Sequence, residues 1–482
     1  MTQYDLVIIG GGPAGYSAAL RGADLGGSIA IIEDKALGGT CLNRGCIPTK
    51  ALYQGAKLLH DIRKGDDYGL LVEELETVDE DFGLDVNKLI KFKDKNVNEL
   101  VDGIKTLLNN NKVDVIDGKG TLRKGNIIEI EENSGDNYSI NGESVILATG
   151  SNPNEKIMGP ELSRLCWSAD ALVSEAEDFW QKGGDDVVII GGGVIGVELS
   201  SILSLLGKNV KLIEVESNLL PPLDVDIKKR VSTYLKKLGV EVQTNSVVYN
   251  IVEDESKMKL QLRKKNNKEI TIEADEVILS VGREPNLTGI DVEGLGLDLR
   301  NNYIMTDYKM KTSIDNVYAA GDIITKGKQL AHVAMHQGKI AAENALNPYS
   351  DSYFDDSAIP NCVFTFPQIA EVGLTEQECK AGEIPYKVGR FNFRANAKAM
   401  IMKEDGFVKI IADERTDEVL GVHIVGPNAS DLIQEGTLAV KNKIKSKELT
   451  KTIHPHPTLS EAIWEASLDA NEIALHQVKK KR

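Results

Sequence analysis

DLVIIGGGPAG, residues 5–15, and DVVIIGGGVIG, residues 186–196, are one pattern occurring twice in one chain. Each opens on an apolar, β-branched run, turns on Gly-x-Gly-x-x-Gly and continues with helical patterning. The glycines are Gly10, Gly12 and Gly15, then Gly191, Gly193 and Gly196. In both copies an acid closes the next strand 18 residues beyond the third glycine: Glu33 in IAIIED and Glu214 in VKLIEV. The residue types have a chemical reason. Glycine lets the backbone approach a pyrophosphate seated on the positive end of a helix, and the carboxylate accepts hydrogen bonds from a ribose diol. One such turn could be an ordinary strand-to-helix connection that binds nothing; two at equal spacing predict two dinucleotide units. The second unit also discriminates. Val215 and Glu216 follow Glu214, and no Lys or Arg occurs before Lys228. A 2′-phosphate would meet carboxylates and no cation, which favours NAD over NADP.

At 482 residues the chain exceeds one core, and three or four packed units are expected. Its 41% hydrophobic and 27% charged residues are those of a soluble globular protein, and a formal charge of −17 argues against nucleic acid or anionic membrane as the main partner. The basic tail Lys479–Arg482 reads as a solvated terminus. No apolar run approaches the roughly 20 residues that span a bilayer. YDLVIIGGG enters a strand at once, which leaves no room for a targeting peptide and predicts a cytoplasmic protein. Two further strand-then-glycine closures, VILATGS ending near Ser151 and VILSVGREPN ending near Asn286, support the double layout. A charged helical region, then a β-rich insert with turns at GDN and NGE, is expected between residues 61 and 140. From residue 286 the chain carries VYAAGDI and the helical run LAHVAMHQGKIAAENAL; after Pro348 the pattern is mixed α/β. The expected boundaries are 1–150 and 151–285 for the two nucleotide units, 286–350 for a central segment and 351–482 for a last unit. No low-complexity linker suggests a swinging arm.

The motifs GGGPAG, GGTCLNRGCIPTK, ATG, GGGVIGVE, AAGD and HPHPTLSE occur in that order. With them the chain resembles the flavin-dependent pyridine-nucleotide disulfide oxidoreductases along nearly its whole length. The resemblance implies an α/β fold of two Rossmann-like FAD/NAD(P)-binding domains plus a C-terminal α+β dimerisation domain, with residues 286–350 completing the FAD site. FAD would occupy the first unit, with Glu33 on the adenosine ribose and Asp322 on the flavin side. Lys50 would stand beside the flavin, where a cation stabilises the reduced ring; a solvated surface lysine is the alternative. NAD would occupy the second unit, its nicotinamide reaching the flavin near Glu198. Thr149, Gly150, Gly282 and Ala331 complete the implied cofactor contacts.

The same resemblance gives a use for Cys41 and Cys46. The chain has five cysteines, and Cys166, Cys362 and Cys379 stand alone, as buried hydrophobes do. In a regular helix residues five apart are turned by about 140°. A Cys41–Cys46 bridge therefore needs a distorted turn, for which Gly45 and Pro48 provide. So short a loop gains little as a staple. A strained, reducible bond beside a flavin suits electron transfer, with a structural disulfide or free thiols as the other readings. In the family's division of labour Cys46 exchanges electrons with the flavin, and Cys41 forms the mixed disulfide with substrate. His456 is the implied base, oriented by Glu461. Thr458 and Glu461 also have capping-box spacing ahead of the helix predicted over LSEAIWEASLDANEIALHQ, so Glu461 has two candidate roles. His454 suits a structural role, since no third metal ligand is indicated. The family supplies its base from a partner chain, which implies an obligate homodimer.

The implied activity is FAD-dependent oxidation of protein-bound dihydrolipoamide by NAD+ through a redox-active Cys41–Cys46 disulfide. The lipoyl group would come from an acyltransferase or a glycine-cleavage lipoyl protein. A glutathione-reductase-like enzyme running from NADPH is the rival; Glu214 with Glu216, Gly196, Leu42-Asn43 and Leu459 count against it. An NADH oxidase needs one cysteine and no His-Glu pair. A redox-silent scaffold would have lost Cys41 or His456. Arg44 departs from the family, which often has an apolar residue there.

Overall fold

The computed structural model describes residues 2–70, 84–254 and 257–478. The basic tail Lys479–Arg482 and residues 71–83 of the charged stretch lie outside the described residues.

The first sheet is built from β1 (Thr2–Ile9), β2 (Ile29–Glu33), β3 (Asp114–Arg123), β4 (Ile127–Glu132) and β5 (Asn137–Leu147). β1 lies between β2 and β5 with all three parallel, β3 follows β2, and the strand Val317–Ala319 runs parallel to β5 at the far edge. Leu6–Ile9 and Ile29–Ile32 are buried throughout, because parallel strands covered on both faces need continuous apolar runs. β3 and β5 serve two layers. Their Asp117 and Ser144 ends lie in the parallel sheet, whereas Gly118–Arg123 and Asn137–Asn141 pair antiparallel with β4. This corrects one expectation. GDN does lie at the β4–β5 turn, but NGE, Asn141–Glu143, sits inside β5 where the strand passes between layers. A Cβ on Gly142 there would lie 2.7 Å from the Ser144 carbonyl oxygen, so glycine serves the strand's bend and not a turn.

Helices α1 (Pro13–Asp24), α2 (Gly39–Arg44), α3 (Cys46–Arg63) and α4 (Val86–Asn110) dress this unit. α4 is the charged helix; Asp85 caps it by accepting from Lys88 N at 3.0 Å. The second unit repeats the plan with β6 (Asp186–Ile190), α5 (Val194–Leu205) and β7 (Asn209–Ile213). Its parallel sheet runs in the order 241–243, β7, β6, 276–279, 167–168, and the strands 246–254, 257–264 and 269–274 form an antiparallel meander. Ser151–Pro153 and Arg283–Pro285 pair where the chain passes between the two units. Helix α6 (Ala331–Leu346) returns to the first unit and packs on α1. Its Gly338 is required there, since a Cβ would stand 2.0 Å from the Ala14 carbonyl oxygen.

The remaining chain forms a five-stranded antiparallel sheet in the order 361–363, 368–373, 419–426, 407–413, 386–392. α7 (Ala429–Lys441) and α8 (Glu461–Ala470) pack on it. α8 is shorter than the apolar pattern predicted. Glu472 takes a left-handed φ of 63°, and the chain folds back so that His476 Nδ1 meets Glu465 Oε1 at 2.5 Å. A buried ionic cluster joins this sheet to the second unit. Lys409 Nζ, fully buried, lies 2.8 Å from Asp224 Oδ1, 2.9 Å from Asp226 and 2.8 Å from Glu376. The architecture is thus α/β, two nucleotide-type units and a C-terminal α+β unit.

A candidate thiol and dinucleotide site

Gly45 breaks what would otherwise be one helix. Its φ of −142° and ψ of −106° are neither helical nor extended; α2 ends before it and α3 begins after it at Cys46. Pro48 falls within the first turn of α3, where its missing N–H costs nothing. The break is the distortion that the spacing required. Cys41 and Cys46 face each other in hydrogen-bond contact, the approach that the expected disulfide requires. Donation from Cys41, assisted by the Lys50 ammonium and opposed by burial, holds the Cys46 thiol down at about 7. The Cys41 thiol is pushed up by that hydrogen bond and by burial. Cys46 is therefore the thiolate of the pair.

Lys50, one helical turn on from Cys46, points inward. Its Nζ lies 2.8 Å from Glu198 Oε2 and 4.5 Å from the centre of the Phe364 ring. Glu198 is buried on α5 of the second unit, and its other oxygen accepts from Phe364 N at 2.8 Å. The pair joins the two nucleotide units at the thiols and excludes the solvated-lysine reading. Phe364 carried no signal in the sequence, because its contribution is a backbone N–H and a ring face.

One cavity of ≈ 1650 Å³ runs past both glycine turns and the thiols. All the nucleotide residues named from sequence line it except Gly15 and Gly196, as do Cys41 and Cys46. The two exceptions are packing glycines. A Cβ on Gly15 would lie 1.8 Å from Gly10 O, and one on Gly196 1.9 Å from Gly191 O. Gly12 and Gly193 are different. A Cβ on Gly193 would meet nothing within 4 Å, and one on Gly12 only Gly39 Cα at 3.8 Å. These two positions leave open cradles at the amino ends of α1 and α5, which fit the pyrophosphates of two dinucleotides.

The acids behave alike. Glu33 accepts from Gly11 N at 2.6 Å and Lys35 N at 3.1 Å; Glu214 accepts from Gly192 N at 2.5 Å and Glu216 N at 2.7 Å. Each carboxylate braces the glycine turn beneath it and keeps lone pairs for a diol. Burial pushes Glu33 up, against those amide bonds. Asp322 is also pushed up by burial, though Ser151 donates to it at 2.7 Å and Arg283 acts nearby. Arg283 fastens this corner: it donates to Ser151 Oγ at 2.8 Å and to Asp170 at 2.7 Å. The sequence showed Arg283 only inside VGREPN, where its bonds to Ser151 and Asp170 were not legible.

His456 and Glu461 do not line the cavity. His456 Nδ1 lies 2.8 Å from Glu461 Oε1, and the imidazole is 72% exposed. Glu461 Oε2 accepts from Thr458 N at 2.8 Å. The two candidate roles of Glu461 are thus divided between its two oxygens. Only half of the capping box forms: Thr458 Oγ1 donates to Pro455 O at 2.7 Å, and Ser460 occupies the cap position of α8. Against burial, Thr458 and His456 hold Glu461 below the usual carboxylate range. No group of three metal-ligating side chains occurs among the described residues.

A family model described as pyridine nucleotide-disulphide oxidoreductase matches residues 4–338, and one for the dimerisation domain of that family matches residues 359–467. A dihydrolipoyl dehydrogenase of Bacillus subtilis is 38% identical, covering 98% of this chain and 99% of its own. Another, of Chlamydia trachomatis, is 40% identical over 99% of each. The crystal structure of LpdA from Mycobacterium tuberculosis superposes with a TM-score of 0.86 at 27% identity, covering 97% of this chain and 99% of that one.

Proposed function

The chain belongs to the pyridine nucleotide-disulphide oxidoreductase family, and on that premise we propose that it oxidises protein-bound dihydrolipoyl groups with NAD+. One observation carries the reading: the facing Cys41 and Cys46 and the Lys50–Glu198 ion pair stand together between two open glycine cradles. The names of full-length relatives agree with it.

In this reading residues 1–150 with 286–350 hold FAD, residues 151–285 hold NAD and residues 351–482 dimerise. FAD supplies the two-electron path from the thiol pair to NAD+. The protein's own residues do the rest. In the oxidised form a dihydrolipoyl thiolate attacks the Cys41 sulfur, forming a mixed disulfide and releasing Cys46 as thiolate. The second dihydrolipoyl sulfur then displaces Cys41, closing the lipoyl ring and leaving the Cys41–Cys46 dithiol. His456 takes the proton from the attacking thiol, and Glu461 stabilises the resulting imidazolium. Lys50 stabilises negative charge beside Cys46. Since His456 points to solvent in its own chain, it serves the thiols of a partner in a homodimer. The proposed substrate is a lipoyl-bearing acyltransferase or glycine-cleavage lipoyl protein, and the proposed location is the cytoplasm. Among the described residues no helix is long and apolar enough to cross a membrane.

The test is anaerobic titration of the FAD-loaded protein with dihydrolipoamide, followed by NAD+. The expected result is a long-wavelength band from thiolate beside oxidised flavin, discharged by NAD+ as NADH forms. A band raised only by NADPH and discharged by another disulfide would move the assignment to a disulfide reductase. Bleaching by NADH with no thiol response would make it an oxidase.

A further inference from the structure

The turn that carries His456 is anchored by a second histidine whose two partners decide its charge. Between Lys451 and Pro457 every residue is exposed except His454, whose side chain is 6% accessible. Its Nε2 lies 2.9 Å from Glu435 Oε1 on α7, and its Nδ1 lies 3.1 Å from the Thr452 carbonyl oxygen. Both partners are acceptors. A neutral imidazole has one N–H and one lone pair, so it can satisfy one of them and must repel the other. An imidazolium satisfies both. Placing the proton on Glu435 instead would leave a neutral carboxylic acid on a side chain 31% open to water, where the carboxylate is favoured.

We propose that His454 is a fixed imidazolium and a positioning residue: it ties the turn 452–457 to α7 through Glu435 and so sets the direction in which His456 is presented. The inference rests on the reading of His456 as the base for the thiol pair. Within the turn, Thr452 Oγ1 donates to Glu448 O at 3.0 Å and Pro455 O accepts from Thr458 Oγ1 at 2.7 Å. The exposed His456 meets Glu461 at 2.8 Å. Two further ties lie at the ends of the turn. Trp464 Nε1 donates to Thr450 O at 3.0 Å, and Asn396 Nδ2 donates to Thr458 O at 2.9 Å. Between them only His454 points inward. Glu435 on α7 and Glu461 on α8 favour the cation, and a protonated His456 on the same turn opposes it. The Glu435 hydrogen bond, which outweighs burial, pushes His454 above the usual histidine range. Once His454 loses its proton, one ring nitrogen presents a lone pair to an acceptor oxygen and the anchor fails. The activity should therefore fall at high pH along an alkaline limb that belongs to His454 and not to the thiols.

The experiment uses the full-length, FAD-loaded dimer with ring-15N histidine and the variants His454→Gln and Glu435→Gln. Three readouts are taken from pH 6 to 9: histidine ring shifts, kcat for dihydrolipoamide with NAD+, and NADH-driven ferricyanide reduction, which needs neither His456 nor the thiols. One histidine should show both ring nitrogens protonated at pH 7, and its signals should vanish in His454→Gln. That variant should lose at least tenfold in kcat while ferricyanide reduction stays within twofold. Glu435→Gln should move the alkaline limb of kcat down by at least one pH unit. A neutral His454 at pH 7, full kcat in His454→Gln, or an unmoved limb in Glu435→Gln would overturn the proposal. Should His454→Gln fail to fold, the unmodified protein and Glu435→Gln still decide it. If the unmodified protein does not oxidise dihydrolipoamide, the proposed function falls, and the ring shifts still report the charge of His454.

Discussion

Lys50 shows how one residue can set the chemistry of a neighbour. Its ammonium favours the Cys46 thiolate, while its bond to Glu198 neutralises a buried carboxylate of the other unit. Removing the cation raises the thiol in two ways, by losing attraction and by leaving Glu198 unpaired. In reduced protein, alkylation of the thiol pair should show a midpoint near pH 7, read as iodoacetamide labelling against pH. In Lys50→Met that midpoint should move upward. An unchanged midpoint would mean that the Cys41 hydrogen bond alone sets it. His456 and Glu461 act at the same scale. His456→Gln should cut dihydrolipoamide oxidation by about 10²- to 10⁴-fold, the usual contribution of a positioned base. NADH-driven ferricyanide reduction should be kept.

At the scale of the element, the glycines of one turn divide their work. Gly196 is where α5 packs on its own strand: an added Cβ would stand 1.9 Å from Gly191 O and 2.6 Å from Ser280 Oγ. Gly193 faces the open cradle. Gly196→Ala should therefore destabilise the unit by about 1–3 kcal/mol through overpacking, measured as a lower denaturation midpoint. Gly193→Ala should keep that midpoint and weaken NAD+ binding by about tenfold, or about 1.4 kcal/mol. Equal losses of stability in both would contradict the division. Gly45 acts through conformation in a similar way, since its φ and ψ split one helix into two and turn Cys41 toward Cys46.

At the scale of the molecule, the C-terminal sheet must hold a fixed position against the second unit. The buried cluster around Lys409 does this. Despite burial, Lys409 and its neighbours hold Asp226 and Glu376 each at about 2. Folded values below the unfolded ones mean stability that is present above about pH 4.5 and is lost as pH falls toward 2. Lys409→Met would leave Asp224, Asp226 and Glu376 without their shared cation. It should cost about 3–5 kcal/mol, read from chemical denaturation at pH 7. The acid-induced loss from this cluster should also shrink, because without the cation the folded-state values rise toward or above the unfolded ones. A variant as stable as the parent would show that Arg390, 2.7 Å from Asp226 and 3.2 Å from Glu376, suffices for the cluster.

The sequence by itself determined the two nucleotide units, the thiol pair and its Gly45 break, and the NAD preference. Each rests on local spacing along the chain: 18 residues from glycine to acid, five from Cys41 to Cys46. It also named His456 and Glu461, though not how Glu461 would divide its two oxygens. Tertiary structure alone decided contacts between residues far apart in the chain. Lys50 meets Glu198 and Phe364, Arg283 joins Ser151 to Asp170, Lys409 gathers three acids, and His454 finds Glu435. It decided as well that NGE lies within a strand and that α8 stops at Ala470. The physical reason is the same in each case. Backbone conformation and short-range spacing are written in neighbouring residues, whereas the partner of a buried charge is set by which surfaces fold together.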